Sequence, residues 1–210
     1  TLSENAFAKT LARLQQQGAE LVPIDFSVFN QLAEQLYYGA WVAERTVAVG
    51  EIFKNMPEAM DPTVRGIVAN GLNYTACDAW QAEYTRAELA QKINAQLSEF
   101  DALVVPTSPT IHTLDEMAQE PVRYNSPFGT YTNFTNLADL CALALPGDFR
   151  ADGIPAGITL IAPAWHDQAL SHFGKSWQQA LKLPLGATDK TLPVSNAEKL
   201  SANHVRAAVV

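Results

Sequence analysis

Apolar positions along the chain change their period several times, and each change marks an element. Ala6, Phe7, Leu11 and Leu14 recur at helical spacing behind Ser3, a capping residue, and Gly18 then supplies a left-handed stop. The run AELVPIDF reads as a short strand, so the chain opens on the back half of a βα unit whose preceding strand lies elsewhere. From Ser27 to about Asn55, the residues Phe29, Leu32, Leu36, Val42, Val47 and Ile52 fall loosely on helical spacing. This predicts one long helix, with Gly39 as its weak point. Asp61 followed by Pro62 is a cap with a first-turn proline, and Thr75 with Asp78 resembles a capping box opening a helix to about Ser98.

The pattern then shifts at FDALVVPTSPT. Its compact apolar run, Ala102 to Val105, is cut off by Pro106 and Pro109, as in a buried strand ending in a constrained loop. A helix around FGTYTNFTNLADL leads to LALPGDF and PAGITLIA, two β-like runs joined by a hairpin-type connection over Arg150 to Gly153. Asp167 to Lys182 closes as a helix. Residues 1–186 thus form one α/β body, and the polar, weakly periodic residues 187–210 read as a linker or tail.

Composition narrows the function. With 210 residues and 48% hydrophobic content, the chain can bury a sizeable core. A formal net charge of -8, with no Lys or Arg cluster against it, repels phosphate backbones and anionic membrane surfaces, so nucleic acid and membrane are not expected partners. Cys77 and Cys141 are too far apart for a C-x-x-C motif and too few for a disulfide framework, which fits a reducing, cytoplasmic setting. No apolar run approaches the ~20 residues that span a bilayer. His112, His166, His172 and His204 are scattered without ligand spacing, so no metal is expected. No P-loop, G-x-S-x-G or G-x-G-x-x-G motif occurs, and Cys141 reads as a small core residue. The opening Thr1 fits either removal of an initiator Met or an interior position in a longer chain.

One stretch carries chemistry. In LYYGAWVAER, Tyr37, Trp41 and Arg45 are four apart, which on one helix places them within an arc of ~80° over ~12 Å. A forked guanidinium beside aromatic groups can take a carboxylate through two parallel hydrogen bonds, while a Tyr hydroxyl fixes a further oxygen. The competing reading pairs Arg45 with Glu44 or Glu51 and leaves Trp41 and Tyr37 as core.

Two stretches, LYYGAWVAERTVAV and the long run from DALVVPTSPTIHTLDEM through NFTNLADLCALALPGDFRADGIPAGITLIAPAWHD, resemble the C-terminal half of the amidase domain in the allophanate hydrolase branch of the amidase-signature family. The resemblance covers about Ser3 to Leu185 and implies a mixed β-sheet core flanked by helices, present here as its C-terminal half. It further implies amide hydrolysis by a Ser–cis-Ser–Lys triad through an acyl-enzyme, with no metal or cofactor. The implied substrate is allophanate (urea-1-carboxylate), broken down to ammonia and CO2 in urea and s-triazine catabolism. Tyr37 and Arg45 match the positions that hold the substrate carboxylate and its neighbouring oxygen.

The family's Gly-Gly-Ser-Ser-Gly stretch and catalytic Lys have no counterpart here; Lys9, Lys54 and Lys92 sit in ordinary helical contexts. No catalytic residue is therefore assigned in this span. The triad is expected upstream of Thr1, and these 210 residues alone are expected to be inactive. The implied partners are the missing N-terminal half, a second copy in a homodimer of the full-length enzyme, and a functional link to urea carboxylase. Thr107, Tyr131 and Asn133 are candidate pocket-lining residues, which packing or helix capping explains equally well. The alternatives are another amidase-signature hydrolase, such as a general amidase or the amidase subunit of a tRNA-dependent amidotransferase, or a non-catalytic binding module.

Overall fold

The computed structural model describes residues 1–186, 188–191 and 205–210. In chain order the elements are α1 (Leu2–Gln16), β1 (Ala19–Pro23), α2 (Ser27–Tyr38), α3 (Val42–Ala48), α4 (Gly50–Asn55), α5 (Pro62–Ala69), α6 (Ala76–Leu97), β2 (Ala102–Pro106), α7 (Leu114–Gln119), α8 (Pro121–Asn125), α9 (Phe134–Leu137), β3 (Leu140–Pro146), β4 (Gly157–Pro163), α10 (Asp167–Leu181) and β5 (Val205–Val209). Short 3-10 turns lie at Pro57–Ala59, Asn70–Asn73 and Ser126–Gly129. They form two compact units. One is made of Thr1–Asp25, Leu97–Pro109 and Leu140–Val210, the other of Phe26–Gln96 and Thr110–Asp139.

The first unit holds a mixed five-stranded sheet in the order β1-β5-β2-β4-β3. β5 runs parallel to both β1 and β2, while β4 is antiparallel to β2 and β3. The near-continuous apolar runs of β2 and β4 are what a central strand needs, and both are buried almost throughout. Leu14 of α1 and Leu170 and Trp177 of α10 pack with Val104, Leu145, Ile158, Leu160 and Val209 of the sheet. The Trp177 indole N–H donates to the Pro146 carbonyl at 2.7 Å, so the ring is buried without an orphaned donor.

The expected linker over 187–210 falls partly on residues 187 and 192–204, which lie outside the described residues. At its far end the chain is a strand, not a tail: Val205–Val209 pair between β1 and β2. The run is short and built on the small residues Ala207 and Ala208, both buried, so it carries no alternation to read.

α1 is tied to the β3–β4 connection by a forked ion pair. Arg13 Nε and Nη2 donate to Asp148 Oδ2 and Oδ1 at 3.0 and 2.7 Å, and the Asp148 amide donates to the buried Thr10 hydroxyl at 2.8 Å. The hydrogen-bonded guanidinium holds the Asp148 carboxyl below its ordinary range against an opposing desolvation. A depressed folded-state value contributes stability above the unfolded value of ~3.9. That contribution is lost as pH falls through the folded value. Asp148→Asn is therefore expected to flatten the acid-side fall in stability, read as the urea midpoint between about pH 6 and about pH 2.5. Parallel profiles for the two proteins would show that the pair is not linked to folding.

The second unit is helical around buried Phe29, Leu32, Val42, Val68, Leu89, Ile93, Phe134 and Leu137. The single helix expected over Ser27 to Asn55 is three helices. Gly39 leaves α2 in an extended conformation (φ -128°, ψ -178°), and α3 restarts at Val42. The Asp61 cap is present, its Oδ1 accepting from the amides of Thr63 and Val64 at 2.9 and 3.1 Å, and the Thr75–Asp78 box opens α6. The helix expected around FGTYTNFTNLADL is only the one-turn α9 after a 3-10 turn. α7 and α8 occupy the stretch that reads as loop; Thr113 and Glu116 form a reciprocal capping box that opens α7.

Candidate functional site

α2 presents Asn30, Ala33, Glu34 and Tyr37 at helical i, i+3, i+4 and i+7 spacing to one cleft. With Asp61, Thr63, Ile67 and Asn70 from α5 and its flanks, and Asn125 and Asn133 from the α8–α9 region, they enclose about 740 Å³ in the second unit. That is within the usual size of small-molecule sites, and the mixture of apolar wall and convergent amides is also usual for them. Its charged lining residues are Glu34 and Asp61, so the cleft interior favours neutral groups over anions.

Cationic character enters beside it. The Arg45 guanidinium lies over the Tyr37 ring, with Cζ 4.6 Å from the ring centroid. Such stacking contributes roughly 0.5–1 kcal/mol and leaves the N–H fork free. Among the described residues, the Arg45 side chain has no ion pair or hydrogen bond, and neither Glu44 nor Glu51 takes it. Glu51 instead accepts from Asn55 Nδ2 at 2.9 Å, and Glu44 is exposed. A guanidinium that lies over an aromatic ring with its N–H groups unengaged is a ready donor pair for a planar carboxylate. Tyr37 is about 42% exposed and Arg45 is half-buried, so the pair lies at the surface of the second unit.

Tyr37 and Arg45 thus meet, but not on one helix: Tyr37 is in the last turn of α2, Trp41 is the cap of α3 and Arg45 is in α3. The Trp41 indole N–H is buried and has no hydrogen-bond partner among the described residues. Of the other candidates, Asn133 lines the cleft and its carboxamide occupies the space over Gly129, where any Cβ would collide with it. Tyr131 lies in the same unit with its ring 6.0 Å from that of Phe26. Thr107 is in the first unit, where its hydroxyl is hydrogen-bonded to the Thr159 hydroxyl at 2.9 Å. Asn30, Asn70 and Asn125 are cleft residues that sequence reasoning passes over. Only Asn30 carries a signal, as one turn of the α2 face that ends in Tyr37.

No group of three or more His, Cys, Asp or Glu that could hold a metal ion occurs among the described residues. No helix among them is long and apolar enough to cross a membrane.

The Amidase family pattern matches residues 3–170. The chain belongs to the amidase family. Within it, the chain is 46% identical over 172 residues to a urea amidolyase from Lachancea kluyveri, covering 81% of this chain and 9% of that protein. The solved structure of Kluyveromyces lactis allophanate hydrolase superposes with a TM-score of 0.85 at 42% identity, over 92% of this chain and 33% of that one. One component of the glutamyl-tRNA(Gln) amidotransferase from Corynebacterium diphtheriae is 27% identical over 204 residues, covering 84% of this chain and 41% of that protein. The chain therefore spans only part of the length of each of these amidase-family relatives.

Proposed function

We propose that this chain is the substrate-binding part of an allophanate hydrolase, with Arg45 and Tyr37 gripping the carboxylate end of the substrate. The observation that carries this reading is the unengaged Arg45 guanidinium stacked on Tyr37 at the edge of a cleft. Its fork takes the carboxylate, while the cleft, with carboxamides such as Asn133 and Asn125 and no cation in its lining, suits the neutral urea end. The likeness to urea amidolyase and allophanate hydrolase supports the same substrate. On this reading the Ser–cis-Ser–Lys triad lies outside the span, the enzyme works in the cytoplasm as a homodimer, and its substrate comes from a urea carboxylase. Asn133 and Tyr131 line or support the pocket, and Thr107 steadies the end of β2 in the first unit.

The test is ammonia release by the natural polypeptide that carries these residues. It is expected to hydrolyse allophanate and to leave neutral amides of the same size, such as propionamide, essentially untouched. The second reading, a general or amidotransferase-type amidase, has the acidic cleft lining and the amidotransferase likeness in its favour. Turnover of neutral amides with none of allophanate would select it.

A further inference from the structure

α3 has seven residues and no side-chain cap at its start, too little to hold a helix by itself. Whatever fixes it also fixes Arg45. On its buried side, Val42 and Thr46 are one turn apart, and Thr46 reaches out of the helix: its hydroxyl donates to the Val68 carbonyl at 2.6 Å, with the Val42 carbonyl farther off at 3.3 Å. Val68 is in the last turn of α5, where its carbonyl also faces the Asn70 amide, so the Thr46 bond joins α3 to the capped end of α5. The approach is close enough to exclude a side chain beneath it. A Cβ on Gly71, in the turn after α5, would fall on the Thr46 hydroxyl and lie 2.8 Å from the Ala43 Cα. The second of those atoms is backbone, so α3 as a whole would have to move.

We propose that Thr46 and Gly71 are positioning residues for substrate recognition: the Thr46 hydroxyl bond and the bare Gly71 backbone set the depth and rotation of α3, and so keep the Arg45 fork over Tyr37. Arg45 directly precedes Thr46, so it leaves the helix about 100° away from the buried bond and swings with any roll of α3. This rests on the reading in which Arg45 takes the substrate carboxylate. It adds that the grip is set by groups that never touch substrate.

The test uses the natural polypeptide with Thr46→Val, which keeps shape and removes the donor, Thr46→Ser, which keeps the donor, and Gly71→Ala. Thr46→Val is expected to raise KM for allophanate about 3- to 10-fold with kcat within about twofold, in line with loss of one hydrogen bond. Thr46→Ser is expected to restore KM, and Gly71→Ala to match or exceed Thr46→Val. In an Arg45→Ala background, Thr46→Val is expected to add nothing further. A crystal structure of the Thr46→Val protein is expected to show the guanidinium displaced beyond the ~6 Å stacking limit. Where Arg45→Ala raises KM, an unchanged KM in Thr46→Val or the same KM increase in the Arg45→Ala background would overturn the proposal, as would an Arg45 still stacked on Tyr37 in the Thr46→Val crystal structure. Were Arg45→Ala itself silent while Thr46→Val displaced the guanidinium, the positioning role would stand and the carboxylate reading would fall.

Discussion

Arg45→Ala in the natural polypeptide is expected to lower kcat/KM for allophanate about 10- to 100-fold, mostly through KM. A hydrogen bond from a charged group is worth about 1.5–3 kcal/mol. At about 1.4 kcal/mol per factor of ten, its loss gives that range. The substitution is unusually clean, because the Arg45 side chain has no ion pair among the described residues and truncation leaves no carboxylate stranded. Arg45→Lys keeps the charge but not the fork, and should fall between wild type and Ala. Tyr37→Phe keeps the stacking ring and removes only the hydroxyl, so a loss of about two- to tenfold is expected. Kinetic constants for allophanate that do not respond to Arg45→Ala would sink the assignment.

How much of this can be read from the chain itself depends on how local each signal is. The Asp61 and Thr75–Asp78 caps, the apolar runs of β2 and β4, and α10 are set by residues within a few positions, and they stand close to where the pattern puts them. β5 is unreadable because its place between β1 and β2 is a long-range pairing made by small residues. The capping box of Thr113 and Glu116 is legible and opens α7 in a stretch that otherwise reads as loop. The Tyr37–Arg45 pair is the instructive case. Four-residue spacing suggests one continuous face, yet the helix is broken at Gly39, and the pair meets because the short Gly39–Trp41 link folds α3 back toward the end of α2. The proximity is legible in the sequence and its geometry is not. The Thr46–Val68 bond and the carboxamides from α8 and the turn before α9 join residues far apart in sequence, and only the folded chain brings them to one place.

Phe29→Ala is expected to cost the second unit about 3–5 kcal/mol, the usual range for deleting a buried aromatic ring. Phe29 is fully buried, stacked on Phe26 at 4.8 Å between centroids and edge-on to Phe134 at 4.9 Å, while Phe134 also meets Phe26 at 5.7 Å. Three mutually packed rings add about 0.5–1.5 kcal/mol per pair beyond the area they bury. Phe29→Leu, which refills much of the space, should lose less than half as much. Urea denaturation of the natural polypeptide decides it: an Ala variant within about 1 kcal/mol of wild type would mean the cluster is not a core. The same ring sits two helical turns before Tyr37 on α2, and Phe134 begins the turn that follows Asn133, so this cluster braces the two sides of the cleft. The two largest effects should therefore separate by readout. Arg45→Ala moves KM and leaves the denaturation midpoint near wild type, whereas Phe29→Ala moves the midpoint first and changes KM only as far as a loosened α2 lets Tyr37 drift.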